Sequence, residues 1–274
     1  MNLSDTLQIL IDADIQCFLA ACIGETKTDW GPYTDEQGIL HETNIVIAYD
    51  LPKALSVFEA KVSNVIQAVR EYMGVDMEYK VTMCLTHRNN FRKTLMPSYK
   101  ANRTAPKPKL LPDIRAHCEA KYDCECWENL EADDTLSILG TTLDNSVVCS
   151  IDKDMLTIRD TIVYNWNKDN FVHTDPQSAQ YHHYYQTLKG DSCDGFGGAK
   201  GIGDKRARAI LETDDSWEAV ESTFISKGQT KEDALLMARM AKLLTPDLYD
   251  RAMGTVTYWN PPGTPMPTML PEVS

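Results

Sequence analysis

No apolar run in the 274-residue sequence reaches the roughly 20 residues that a membrane-crossing helix needs. The N-terminus carries Asp5 and no basic lead, which does not match a secretory signal. C-x-x-C pairs are missing as well. The eight cysteines are scattered, and Cys124 and Cys126 straddle one residue, so they point to opposite faces of a strand. Reduced thiols in a cytosol-like compartment are expected. Positive charge is short: 27 basic against 40 acidic residues leave a net −13. That excludes indiscriminate nucleic-acid binding, so any such binding needs a local basic patch. The apolar share of 43% and charged share of 24% describe a folded chain long enough for one or two domains.

The acidic residues are concentrated. Glu131-Ala132-Asp133-Asp134 opens a helical pattern running from Leu130 to Leu143, where exposed N–H groups and the helix dipole favour negative charge. Asp152-Lys153-Asp154 follows the apolar run 146–151, a buried strand by pattern. In an open α/β sheet, ligands bind at the carboxyl ends of strands, so a helix start and a strand end can bring these carboxylates to one point. Like charges held together call for a cation, and hard oxygen ligands suit Mg²⁺ or Mn²⁺. One such cluster alone reads better as a solvated, helix-capping face. Two more clusters shift the balance. Asp12-Ala13-Asp14 ends a short apolar strand, 7–11, and Asp191 and Asp194 lie in 190–195.

Between Arg88 and Lys109 the sign reverses. Arg88, Arg92, Lys93, Lys100, Arg103, Lys107 and Lys109 occur there with no acidic residue, leaving 20 basic against 40 acidic residues elsewhere. Phe91 and Tyr99 are interleaved, as on surfaces that stack bases, and a nucleic-acid interface is favoured over a solvated loop. Downstream, Gly198, Gly201 and Gly203 permit a tight turn that approaches phosphate, with Lys200, Lys205, Arg206 and Arg208 around it. This pattern predicts a helix-hairpin-helix grip on the DNA backbone, against a plain Gly-rich loop.

For the rest of the chain, helices are expected at 15–23, 54–69, 110–121, 217–224 and 234–244. Strands are expected at 79–85, 123–127 and 161–166. Alternation from residue 7 to 166 predicts an α/β fold with a mostly parallel sheet covered on both faces. The polar excursion 24–50, with Gly31-Pro32 and Gly38 as breakers, has no role readable from its residues. Five prolines in 254–274 make that tail extended or wrapped on the body.

The ordered set of motifs resembles the flap endonuclease superfamily of 5′ nucleases: Asp12, Arg92-Lys93, 99–103, Glu131-x-Asp133-Asp134, Asp152-x-Asp154, Asp191-x-x-Asp194 and the glycine hairpin. More narrowly, 186–191 and 240–244 look like the podovirus-type phage 5′→3′ exonucleases. The resemblance spans roughly 7–250 and rests on the order of motifs; each alone is weak. It implies a PIN/FEN-like nuclease domain over 1–175, a helical DNA-binding lobe over 176–253 and the proline-rich tail 254–274.

By the same resemblance, two divalent cations, Mg²⁺ or Mn²⁺, are held by Asp12, Glu131, Asp133, Asp134 and Asp152 at the first position. Asp154, Asp191 and Asp194 surround the second, some through water. Lys100 and Arg103 neutralise the scissile phosphate, Arg92 belongs to the catalytic set, and Tyr99 stacks on the terminal base. Lys93, Gly198, Gly201, Gly203, Lys200, Lys205 and Arg206 contact DNA, with K⁺ at the glycine hairpin. The implied substrate is double-stranded DNA with 5′ ends, or an RNA–DNA hybrid, in the cytoplasm of a phage-infected host. One position departs from the pattern. His87 stands where the family offers an Asp beside the first metal, as a Mn²⁺-favouring ligand or as a hydrogen-bond donor to phosphate.

Three other readings stay open. A haloacid-dehalogenase-type phosphatase also displays Asp12-Ala13-Asp14 and Lys189-Gly190-Asp191, but it has no use for 131–134, the basic segment or the hairpin. A DNA-end-binding protein without chemistry would not need a near-complete carboxylate set. Within the nuclease reading, a structure-specific flap endonuclease competes; the short basic segment favours the exonuclease.

Overall fold

The structure is a computed structural model that describes residues 6–74 and 76–264. Asp5 and the tail residues 265–274 lie outside the described residues. Six strands form the central sheet: β1 (Leu7–Asp12), β2 (Tyr79–Cys84), β3 (Asp123–Glu125), β4 (Ser146–Cys149), β5 (Thr161–Asn165) and β6 (Asn170–Thr174), in the order β6-β5-β4-β1-β2-β3. Five run parallel. β6 is antiparallel to β5, with Asn170 opposite Asn165, and it is a strand that the alternation of motifs does not announce. β1 is apolar on both faces, and Leu7, Ile9, Leu10 and Ile11 are fully buried, as a central parallel strand requires.

The connections place the site. After β1 the chain passes through α1 (Ala13–Gly24) and α2 (Leu51–Met73) to β2, then through α3 (Phe91–Leu95) and α4 (Leu111–Lys121) to β3. It then returns through α5 (Ala132–Thr142) to β4, on the other side of β1. The order therefore reverses at β1, and the crevice at the carboxyl ends of β1 and β4 is where such a sheet binds ligands.

Three apolar cores divide the chain. One packs α1, α2 and α4 on one face of the sheet, through Phe58, Val62 and Ile114. A second packs α5 on the other face, through Leu130 and Leu136, and takes in Leu243, Leu244 and Leu248 from the C-terminal part. The third joins α6 (Pro176–Lys189), α7 (Asp204–Thr213), α8 (Trp217–Ser226) and α9 (Lys231–Ala241) around Phe224 and Trp217. Tyr99, from the basic segment, sits inside this third core. Trp259 of the tail meets Trp217 edge-on at 5.3 Å, so the described part of the tail does wrap the body.

Residues 25–50 form ribbons: Glu25–Asp29 pairs antiparallel with Ile45–Tyr49, and Tyr33–Thr34 pairs with Leu40–His41. Trp30, Ile39, Leu40 and Val46 there are all more than half exposed. No described helix is long and apolar enough to cross a membrane.

Candidate metal centre and nucleic-acid interface

Asp12 ends β1 and caps α1, its Oδ1 accepting from Ile15 N at 3.3 Å. Ser150, just past β4, donates its hydroxyl to Asp12 Oδ2 at 2.8 Å and accepts from Asp152 N at 3.1 Å, tying the ends of adjacent strands together. Asp152 in turn accepts from Asp154 N at 2.9 Å and starts the short 3₁₀ turn Lys153–Thr157. Asp133 enters from the first turn of α5.

These carboxylates act on one another. Burial first, then Asp14 and Asp152, push Asp12 up to about 7. Burial, then Asp12, Asp152 and Glu131, hold Asp133 well above the ordinary carboxylate range. Asp154 also rises to about 7, from burial and then Asp152. Carboxylates that raise one another in this way are short of positive charge. Among the described residues no group of three or more His, Cys, Asp or Glu side chains closes to metal-binding geometry. Like charges brought near one another repel, and a divalent ion among them would relieve that repulsion. The donor set, all hard oxygens, fits Mg²⁺ or Mn²⁺.

Glu131 is served differently. Lys100 Nζ lies 2.5 Å from Glu131 Oε1 and 3.6 Å from Asp194 Oδ2. Burial works to raise Glu131, but Lys100 and Arg92 overcome it and keep it below its usual range. Lys100 meets both acids from a left-handed backbone, at φ 57°. Around it the basic segment docks on the third acidic loop. Lys100 N donates to Asp194 O at 2.8 Å, Asn102 Nδ2 to Ser192 O at 2.8 Å, and Arg103 Nη2 to Asp194 Oδ1 at 2.6 Å. Asp191 is brought to this loop by a two-residue ladder, Gly190–Asp191 with Phe196–Gly197. Only glycine fits at 198, where a Cβ would stand 2.1 Å from Leu188 O.

Four residues singled out in the sequence take other places: Arg92, Asp134, Tyr99 and Phe91. Arg92 and Asp134 are buried and saturate each other at 2.6 and 2.9 Å. Arg92 also donates to the carbonyls of Met240 and Lys242, and Asp134 accepts from Leu244 N. Neither side chain is left to meet metal or phosphate; together they pin α5 to the end of α9. Tyr99, expected to stack on a base, is only 3% exposed, and its hydroxyl bridges Glu131 and Asp194 at 2.8 Å each. Phe91 is buried as well. Rings between lysines and arginines look like surface in sequence, but here they turn inward to pack the cores.

His87 Nδ1 accepts from Asn129 N at 3.1 Å and Asn89 N at 3.3 Å. That nitrogen therefore keeps its lone pair for the backbone, and Nε2 carries the proton. Asp14 accepts from Thr86 N at 2.9 Å and from Arg115 at 3.3 Å, which removes it from the role that the phosphatase reading would give it. Arg88, Lys93, Lys107 and Lys109 are exposed, as are Lys200, Lys205 and Arg206 beside the glycine turn. Gly201, at φ 71°, offers its carbonyl to Arg206 Nη1 at 2.7 Å. Sequence reasoning gave no role to Ser150 or Gln186. Ser150 is marked only by lying two residues before Asp152, whereas Gln186 opens the 186–191 motif that carries the narrower resemblance.

Residues 53–184 match the family described as 5′-3′ exonuclease, N-terminal resolvase-like domain. The exodeoxyribonuclease of Enterobacteria phage T3 is 24% identical over 295 residues, covering 92% of this chain and 92% of that protein. The chain is thus similar to the 5′-3′ exonuclease family over 53–184 and to phage exonucleases over nearly its whole length. The exonuclease of Escherichia phage T7 is likewise 24% identical, over 92% of this chain and 93% of the relative. Among solved structures, the T5 5′-exonuclease with zinc bound superposes with a TM-score of 0.56 at 15% identity, over 87% of this chain and 89% of that one. That likeness shows a shared fold over the sheet and the helical lobe together.

Proposed function

We propose that the protein is a divalent-metal-dependent 5′→3′ exonuclease that hydrolyses phosphodiester bonds of double-stranded DNA from 5′ ends. Its place is phage replication, recombination or primer removal in the cytoplasm of the infected cell. One observation carries the reading: Lys100 stands between Glu131 and Asp194, so the basic segment reaches into the acidic crevice. A phosphate drawn along that segment arrives where the carboxylates converge.

Asp12, Asp133 and Asp152 would hold one ion, with Glu131 alongside, and Asp154, Asp191 and Asp194 would surround a second. When bound, such ions lower the pKa of water and stabilise charge on phosphate. The chain's own part is positioning. Lys100 and Arg103 place two fixed cations against the phosphate, and Tyr99 holds Glu131 and Asp194 in register with them. Nε2–H of His87 is a donor for a phosphate oxygen. The helical lobe, 176–253, would hold duplex backbone at the glycine turn through Lys200, Lys205 and Arg206, away from the cut, with K⁺ as a candidate there. RNA–DNA hybrid, whose DNA strand carries the same phosphodiester linkage, is a second candidate substrate.

Duplexes labelled at the 5′ or the 3′ end, incubated with Mg²⁺, Mn²⁺ or a chelator, test the reading. Short labelled products from the 5′-labelled strand alone, lost with chelator, are expected. Metal-independent cleavage or release from the 3′ end would overturn it, and preferred cutting of branched over blunt substrates would favour the flap endonuclease.

A further inference from the structure

Lys153 lies between the two aspartates of 152–154 and has no place in the phosphate-facing set. Its ammonium group bonds Asp191 Oδ2 and stands 3.7 Å from Asp154 Oδ1. Exposure is unequal: the Lys153 side chain is 55% exposed, those of Asp154 and Asp191 only 23% and 8%. The cation can leave for water while the carboxylates stay. Gln186 adds to the pocket. Its Nε2 donates to Asp154, and its Oε1 is buried with no partner, a neutral oxygen beside the pair.

We propose that Lys153 is a resident counter-cation of the Asp154–Asp191 pair, holding it together in the metal-free protein and giving way when a divalent ion takes the pair. The inference rests on the metal-dependent reading above. A divalent ion brings more charge and several oxygen-directed bonds, so it wins at sufficient concentration, but it must first displace a bonded ammonium group. The second ion is therefore held more weakly than the carboxylates alone would hold it. Removing the ammonium group removes that competition, and it also leaves two acids facing each other in the metal-free state.

Mn²⁺ binding to the full chain without DNA, followed by electron paramagnetic resonance of free Mn²⁺, tests this apart from activity. Wild type should show a tighter and a weaker class. In Lys153→Met the weaker class should tighten roughly two- to fivefold, the worth of a partly exposed ion pair, while Lys153→Arg keeps it weak. In chelator Lys153→Met should melt lower than wild type, and Mn²⁺ should raise its melting temperature by more. If the methionine variant does not fold, Lys153→Gln serves for the same comparison. An unchanged or weakened second class in a folded variant overturns the inference while leaving the nuclease reading standing. A wild type that takes up no Mn²⁺ at all overturns both.

Discussion

Arg92 and Asp134 meet face to face in the interior, Nη1 at 2.6 Å from Oδ2 and Nη2 at 2.9 Å from Oδ1. The carboxylate also takes Leu244 N, and the guanidinium takes two carbonyls at the end of α9, so both groups are satisfied by protein alone. Breaking a buried pair by removing one partner strands the other charge, at a cost of about 3–5 kcal/mol. Arg92→Ala and Asp134→Ala should each lose stability of that order in urea unfolding. Arg92→Met combined with Asp134→Leu should recover much of it. An Asp134→Asn variant that keeps its stability but loses metal affinity would put Asp134 back among the ligands.

Lys100 and Arg103 are assigned to the phosphate. If they act on the charge that develops there, Lys100→Ala and Arg103→Ala should lower turnover by roughly two to three orders of magnitude, with modest loss of affinity. A parallel fall of affinity and its salt slope, with turnover intact at saturation, would make them backbone contacts only.

The lone pair of His87 Nδ1 is occupied by two backbone N–H groups. Its Nε2–H then donates and does not ligate. His87→Gln should leave the Mg²⁺-to-Mn²⁺ activity ratio unchanged and raise KM for DNA roughly three- to tenfold, the worth of one hydrogen bond. A ratio that moves towards Mg²⁺ in His87→Asp would make the imidazole a ligand after all.

His183 supplies a pH dependence away from the metal ligands. It is 3% exposed, bonds Ala238 O at 2.8 Å and meets Trp259 edge-on at 4.9 Å. Burial, then Lys242, lower it to about 3 from an ordinary 6.5. The unfolded chain thus binds a proton that the native chain refuses between those values. Stability from this group is complete above pH 6.5 and is lost as pH falls towards 3, by up to about 1.4 kcal/mol per unit. Against wild type, His183→Gln should flatten the stability profile between pH 6.5 and 4. Equal slopes would show that His183 is not the titrating group.

The parallel sheet and the acidic crevice were legible because strand and helix periods change at the carboxylates. Ile9 and Ile11 lead into Asp12, and Val147 and Val148 lead to Ser150 and Asp152. Direction of side chains was not legible. Tyr99 and Arg92 lie in a run of basic residues, and only the C-terminal helices packing over them decide that they face inward. β6 escaped notice because Asn170 to Thr174 mixes polar and aromatic residues without alternation. The ribbon at 25–50 looked like loop since its strands bury nothing on the body, and pairing such as Asp29 with Ile45 leaves no periodic trace.

In the proposed function, Asp12, Asp133 and Asp152 converge to hold a metal ion for cleavage. Asp133→Asn and Asp152→Asn remove one charge each without touching the basic segment or the glycine turn. The decisive measurement sets cleavage of 5′-labelled duplex beside duplex affinity for both variants and wild type in Mg²⁺ and in Mn²⁺. Cleavage should vanish while affinity holds or rises, since repulsion of phosphate is eased. Cleavage by either variant at the wild-type rate would contradict the account.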